Sequence, residues 1–349
     1  LEMHMNTKCA IKFKNAIDCK EQKVPPIWFM RQAGRYHNHY QNLRKNYTFE
    51  DLCKNPELAM LTAMGPVEEF DFDVAILFSD ILFPLESLGL DLKYIPGPTF
   101  NEKIQPKHIK DLKSAQEIAN DLKFQSEALK LTRKELPEDK SLVGFVGGPW
   151  TLLSFAAGIK NELKISDVEK NKFFEEALYD TLIPIIKESI KSQLNSGAEI
   201  VYIFDTNAVQ LEKRYFSEKY LGKLKNELFL PFDKRVAYFT KNDSINHFDD
   251  INNEFSLAGY VYNSLNGLPE KLKNTKKGFV QGNFSPQSLL KKHSDFLNDY
   301  NLFKNKMLSI SSKHRAGWIC SLNHGILPKT PEENVKYFIN DIRNSFGKL

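Results

Sequence analysis

Residues 74–80 read Val74-Ala75-Ile76-Leu77-Phe78-Ser79-Asp80. Five consecutive apolar side chains, without the alternation of a half-solvated strand, suit a strand covered on both faces, as in a parallel sheet flanked by helices. The run then ends on a hydroxyl and a carboxylate. Comparable runs lie at 27–30, 142–146, 199–204, 235–239, 258–261, 278–281 and 317–321. Between them are stretches with helical spacing, among them 109–135, 168–195, 208–226 and 286–307. Strands alternating with helices imply parallel βα units, and eight such units imply an α/β protein built as a closed (β/α)8 TIM barrel, with its cleft at the C-terminal ends of the strands.

No Gly/Ser linker, repeat or low-complexity tract divides the chain, so one domain is expected over residues 1–349, with residues 1–23 as an N-terminal extension. Its opening Leu1-Glu2-Met3-His4-Met5 is read as including a cloning remnant and is set aside. Residues 92–98 read as a β-excursion closed by a Pro-Gly turn. Hydrophobic residues make up 42% of the chain and charged ones 26%, the balance of a protein with a substantial buried core. The net charge of +4 is dispersed, which argues against nucleic acid and suits an anionic small molecule. The four cysteines are scattered without a Cys-x-x-Cys pair, so free thiols in a reducing, cytoplasmic compartment are expected. No apolar run is long enough to span a membrane.

If the runs are barrel strands, the residues just after them line the cleft. Arg31 follows the first run, Asp80 the second, Gly147 the third, Asp205 and Thr206 the fourth, Asn283 the seventh and His324 the eighth. Arg31 and Arg35, separated by Gln32-Ala33-Gly34, offer two planar forks of donors to carboxylates. A surface ion-pair cluster is the plainer reading of such a pair. Asp80 is either a desolvated functional carboxylate or a helix N-cap. One histidine among eight is more often packed or exposed than catalytic, and His37 and His39 read as loop residues. The Gly144-Phe145-Val146-Gly147-Gly148-Pro149 stretch lets backbone approach a ligand and reads as the floor of a pocket, with Phe145 as an apolar surface. It lacks the Lys-Ser/Thr of a phosphate loop.

Taken together, Ile27-Trp28-Phe29-Met30-Arg31-Gln32-Ala33-Gly34-Arg35, Phe78-Ser79-Asp80, Gly144 to Leu152, Gln281-Gly282-Asn283 and Asn323-His324-Gly325 resemble the signature blocks of the uroporphyrinogen decarboxylases, in the same order. The resemblance runs from about residue 24 to about residue 340. It implies a carboxy-lyase of haem biosynthesis that converts the four acetates of uroporphyrinogen III to methyls, needs no cofactor or metal, and works as a homodimer. It also implies Asp80, Arg31 and Arg35 as catalytic residues. Arg31, Gln32, Arg35, Tyr40, Arg44, Asp80, Phe145, Phe155, Thr206 and His324 are implied as substrate contacts.

The match frays at Phe155, where the family carries a tyrosine thought to orient the aspartate, at Val261-Tyr262-Asn263-Ser264 and at Ser285. Two other readings stand beside it. One is a zinc-dependent corrinoid or thiol methyltransferase on the same fold, which requires a thiolate-rich site. The other is a tetrapyrrole-binding relative that no longer decarboxylates.

Overall fold

The computed structural model describes residues 10–94, 97–110, 113–158, 163–241 and 256–348. Strand β1 (Val74–Ile76) is followed by a small antiparallel hairpin, β2 (Leu92–Tyr94) and β3 (Pro98–Phe100). Then come β4 (Ser141–Gly147), β5 (Ile200–Phe204), β6 (Val236–Phe239), β7 (Gly259–Val261), β8 (Phe279–Phe284) and β9 (Trp318–Leu322). Strands β1 and β4 to β9 form one sheet, each pairing in parallel with the next in sequence. The excursion expected over 92–98 is this hairpin, although residues 95–96 at its turn lie outside the described residues.

The sheet curls and closes through residues 26–30. Ile27 bridges Cys320 in parallel, the Cys320 N–H donates to the Pro26 carbonyl at 2.9 Å, and the Asp73 N–H donates to the Ile27 carbonyl at 2.9 Å. The first of the eight expected strands is therefore one bridge and not a ladder. Pro25 and Pro26 bring no N–H to such a ladder. Ile27 does, but its N–H goes to the Asp73 carboxylate at 2.8 Å instead of to a strand carbonyl. Lys12 also reaches Asp73 (2.9 Å), as does Arg343 (3.3 Å).

Aromatic side chains fill the interior. Trp28 meets Tyr202 edge-on at 5.1 Å, and Tyr202 lies 6.0 Å from Phe279. The Tyr202 hydroxyl donates to Gln281 at 2.8 Å, so its buried oxygen is satisfied. The short helix Ile11–Ile17 presses Phe13 against Phe279 and sits over the N-terminal ends of the strands. The long helical stretches break where their sequence demands it. Ser114 and Glu117 form a capping box that starts a separate helix, Ala115–Asp121. Pro184 has no N–H to donate into the preceding turn, which opens into a π-helical segment, Ala177–Leu182.

Asp73 joins three segments, so its loss is expected to show as stability. Asp73→Ala should lower unfolding free energy by about 2–4 kcal/mol, mostly through the orphaned buried Ile27 N–H. Guanidinium titration reads this as a lower midpoint at unchanged slope. A midpoint equal to wild type would contradict the closure described here.

Candidate active site

Arg31 begins the mouth of the barrel in a left-handed backbone conformation (φ +63°), which non-glycine residues seldom hold without support. Gln32 supplies that support. It is fully buried, with its carbonyl oxygen accepting from the Phe29 N–H (3.2 Å) and its amide donating to the Val74 carbonyl (2.8 Å). Expected as a substrate contact, Gln32 spends its amide group on backbone. The Arg31 side chain lies across Gly325, where an added Cβ would stand 2.6 Å from Arg31 Cδ. Arg35 is exposed on the same loop, and the Gln41 amide donates to its carbonyl at 2.8 Å. Arg44 is exposed one element on and donates to the Tyr47 carbonyl at 2.6 Å; burial raises the nearby Tyr40 phenol, opposed by the Arg44 charge.

Asp80 sits half-buried four residues beyond β1. Its Oδ1 accepts the Leu82 N–H at 2.8 Å within the turn before the helix Phe83–Ser87, whose N-cap is Leu82, so the N-cap reading of Asp80 is not what the structure shows. Burial pushes its carboxyl above the ordinary range, opposed by the Leu82 N–H, the Tyr94 phenol and the Arg31 charge. The buried Cys53 thiol beside it is pushed up by burial and by Asp80, and stays a neutral neighbour.

His324 closes the other side. The Gly325 N–H donates to Nδ1 at 2.7 Å, which leaves the neutral ring its proton on Nε2. Burial and the charges of Arg31 and Lys241 lower its pKa to about 4, so near neutral pH it is an uncharged donor. Asp80, Arg31 and His324 thus form one connected electrostatic group. Lys241, just beyond β6, joins it and was missed from sequence. Applying the strand-end rule to the fifth run would have found it.

Beneath these polar groups lies an aromatic floor contributed by consecutive strands. Phe145 lies 5.6 Å from Phe204, Phe204 lies 5.9 Å from Phe239, and Phe239 meets the His324 ring at 5.7 Å. Sequence reasoning picked out Phe145 but not Phe204 or Phe239. Thr206 is half-buried at the start of a 3₁₀ turn, Thr206–Gln210. Phe155 is half-buried and packed on the apolar core.

Asp205, directly after Phe204, is completely buried. It accepts from Tyr220 (2.5 Å), Tyr238 (2.9 Å), and both the Thr151 N–H and hydroxyl (2.9 Å each). Asp205 therefore caps the helix Pro149–Ala156 from a neighbouring strand. Gly148 makes that possible, since a Cβ there would stand 2.2 Å from the Asp205 side chain. On the far rim, the amides of Asn263 and Asn323 each donate to the other's carbonyl (3.0 and 2.9 Å), and Asn283 donates to the Ser264 carbonyl at 2.6 Å. These asparagines lock the ends of β7, β8 and β9 together.

Two other polar clusters are matched internally. His37, Glu69 and Glu332 converge closely enough to hold a cation. However, His37 pairs with Glu69 at 2.6 Å, Lys336 bonds Glu69 at 3.0 Å and the Asn38 N–H bonds Glu332 at 2.6 Å. A surface groove of about 910 Å³ away from the mouth carries Lys54–Glu86 (2.8 Å) and Lys107–Glu102 (2.7 Å) pairs.

Cations around one carboxylate, over an aromatic floor, suit a flat polyanion that also has N–H groups to donate. This places the chain in the class of (β/α)8-barrel enzymes, with its chemistry on the usual strand ends. Comparison with known proteins narrows the class, and the chain belongs to the uroporphyrinogen decarboxylase family (URO-D), whose profile matches residues 11–345. It is 34% identical to the uroporphyrinogen decarboxylase of Orientia tsutsugamushi (strain Ikeda), covering 95% of this chain and 98% of that one. It is 36% identical to that of Helicobacter acinonychis (strain Sheeba), again over 95% and 98%. A methyltransferase from Methanosarcina mazei shares the fold with a TM-score of 0.77 at 17% identity, covering 95% of this chain and 97% of the other.

Two outcomes are expected from this geometry. His324 should stay neutral with its proton on Nε2 from pH 8 down to about pH 5, read by ¹⁵N correlation of the imidazole nitrogens, since its pKa is near 4. Titration near 6.5 would show that burial and the charges of Arg31 and Lys241 do not hold it down. Gly325→Ala should displace the Arg31 side chain and cut turnover at least ~10-fold with little change in stability.

Proposed function

We propose that this chain decarboxylates the four acetate side chains of uroporphyrinogen III in turn, releasing coproporphyrinogen III without a cofactor. The observation that carries the reading is Asp80, a half-buried carboxylate beside Arg31 in a mouth that is otherwise cationic and aromatic. A carboxylate is an acceptor only, so it suits the inward pyrrole N–H groups of a macrocycle. It also offsets the positive charge a pyrrole acquires on protonation.

The chemistry balances within the substrate. A proton adds to the ring carbon next to the acetate-bearing one, making a cationic ring. The C–C bond to the carboxylate breaks, CO₂ leaves, and the electron pair flows into the ring to give an exocyclic methylene. A second proton converts that methylene to methyl and the first ring proton is returned. The substrate is its own electron sink, so the protein's tasks are holding, charge stabilisation and proton delivery. Arg31, Arg35, Arg44 and Lys241 hold carboxylates, His324 donates from Nε2, and Phe145, Phe204 and Phe239 carry the macrocycle. Gln32 acts on the loop that carries Arg31. Phe155 and Thr206 line the edge of the cleft.

The free thiols Cys19, Cys53 and Cys320 suit a reducing, cytoplasmic setting, and among the described residues no helix is long and apolar enough to cross a membrane. A homodimer is the expected assembly. The methyltransferase reading is disfavoured by its donors, because burial pushes the Cys53 and Cys320 thiols up and away from the thiolate that zinc needs.

The test is anaerobic incubation with uroporphyrinogen III, with and without chelator, followed by oxidation and separation by carboxylate number. Chelator-insensitive formation of seven- to four-carboxylate products is expected. Tight porphyrin binding without products would make this a binding relative. Asp80→Gly should abolish turnover with the fold intact, and near-normal activity would refute the mechanism. Because burial raises the Asp80 carboxyl, the ionised form is lost as pH falls through a value above the usual 3.8, so the acid limb of kcat/KM should lie above that value.

A further inference from the structure

The Tyr94 hydroxyl at the end of β2 is buried, makes no hydrogen bond of ordinary length and angle among the described residues, and stands near enough to the Asp80 carboxylate to interact with it. Its ring is held between Phe49 (4.8 Å) and Phe83 (6.1 Å), and Phe49 in turn meets Phe78 edge-on at 5.9 Å. Phe78 and Phe83 flank Asp80 in sequence, so the same aromatic cluster that fixes the Tyr94 ring fixes the segment carrying the carboxylate. The hairpin registers Tyr94 against Pro98 and is built out between β1 and β4, next to the Asp80 turn. A buried phenol oxygen left unpaired costs free energy of the order of 1–3 kcal/mol, so such a group is expected to have a use.

We propose that Tyr94 is a positioning residue for Asp80, its hydroxyl donating to the carboxylate from the β2–β3 hairpin. This rests on the reading of Asp80 as the substrate-facing carboxylate. The two side chains are close enough that each perturbs the other. The phenol stabilises the ionised carboxylate, while burial and Asp80 hold Tyr94 far above the ordinary tyrosine range, so it remains a protonated donor. Asp80 Oδ1 already takes the Leu82 N–H, and an ionised carboxylate has further lone pairs to offer. Two donors from different elements would define the plane of the carboxylate, and with it the height at which macrocycle N–H groups are received. Catalytic hydrogen bonds commonly reach their final length only with substrate bound. Phe155 has no hydroxyl, so it cannot share this task.

The experiment is Tyr94→Phe, which removes one oxygen and keeps the ring between Phe49 and Phe83. Two measurements are made on the whole protein. The first is the pH dependence of kcat and kcat/KM. The second is the ¹³C titration of the Asp80 carboxyl in the free protein, assigned with Asp80→Asn. The expected result is a ~10-fold or greater fall in kcat, with KM changed less. The acid limb and the carboxyl titration should both move up by about one pH unit, as loss of a donor to the charged form requires. An unshifted titration and limb, whatever the rate, overturns the proposal, because a packing role alone would not hold that pKa. If the wild-type protein makes no product, the functional reading fails, while the carboxyl titration still decides the role of Tyr94.

Discussion

Everything at the mouth depends on how the barrel closes. Residues 26–30 are held on one side by β1 and on the other by β9, through a single bridge and a few backbone bonds. Asp73 supplies what a full ladder would have supplied, taking the Ile27 N–H and tying it to Lys12 and Arg343. Only because this segment is fixed can the next residue, Arg31, sit in a left-handed conformation with its side chain laid over Gly325. The Met30 carbonyl accepting the Ile326 N–H at 2.9 Å couples that loop directly to the one carrying His324. A weak strand is tolerable there because its neighbours are tied to each other through it.

The electrostatics follow from where charge is placed against burial. Asp205 and Asp80 are both carboxylates near strand ends, yet they differ in what reaches them. Asp205 is surrounded by four donors and closed from solvent, so its energy is spent on capping and bracing. Asp80 has one backbone donor and a half-open face, so it retains capacity for a ligand. Arg31 brings positive charge to it, and His324 is kept neutral by burial and by the charges of Arg31 and Lys241. Under the proposed function, such a site would hold the substrate carboxylates at its rim and offer Asp80 to its centre. The aromatic floor keeps water from screening the interaction from below.

Much of the architecture was legible in the chain. Apolar runs without alternation announced covered parallel strands, and all eight lie at or next to the barrel positions described. The strand-end rule selected Arg31, Asp80 and His324, which the structure brings together in one electrostatic group. It also selected Asp205 and Asn283, whose side chains are spent on capping a helix and on a backbone carbonyl. Strand position alone could not separate them, because the difference lies in which donors converge from other elements. Gln32 illustrates the same limit. It stands between two arginines in sequence, but its amide turns inward to the carbonyls and N–H groups of the barrel.

What the sequence alone determined was the set of local choices: strand-forming runs, prolines and glycines at the breaks, and polar residues at the ends of strands. These follow from side-chain shape and backbone freedom within a few residues. Only the tertiary structure decided which polar groups come together, that Lys241 acts on His324, that Phe204 and Phe239 link Phe145 to the His324 ring, and that the buried Tyr94 hydroxyl stands beside Asp80. Those outcomes depend on distances between segments far apart in the chain, set by barrel closure and packing, and no local pattern encodes them.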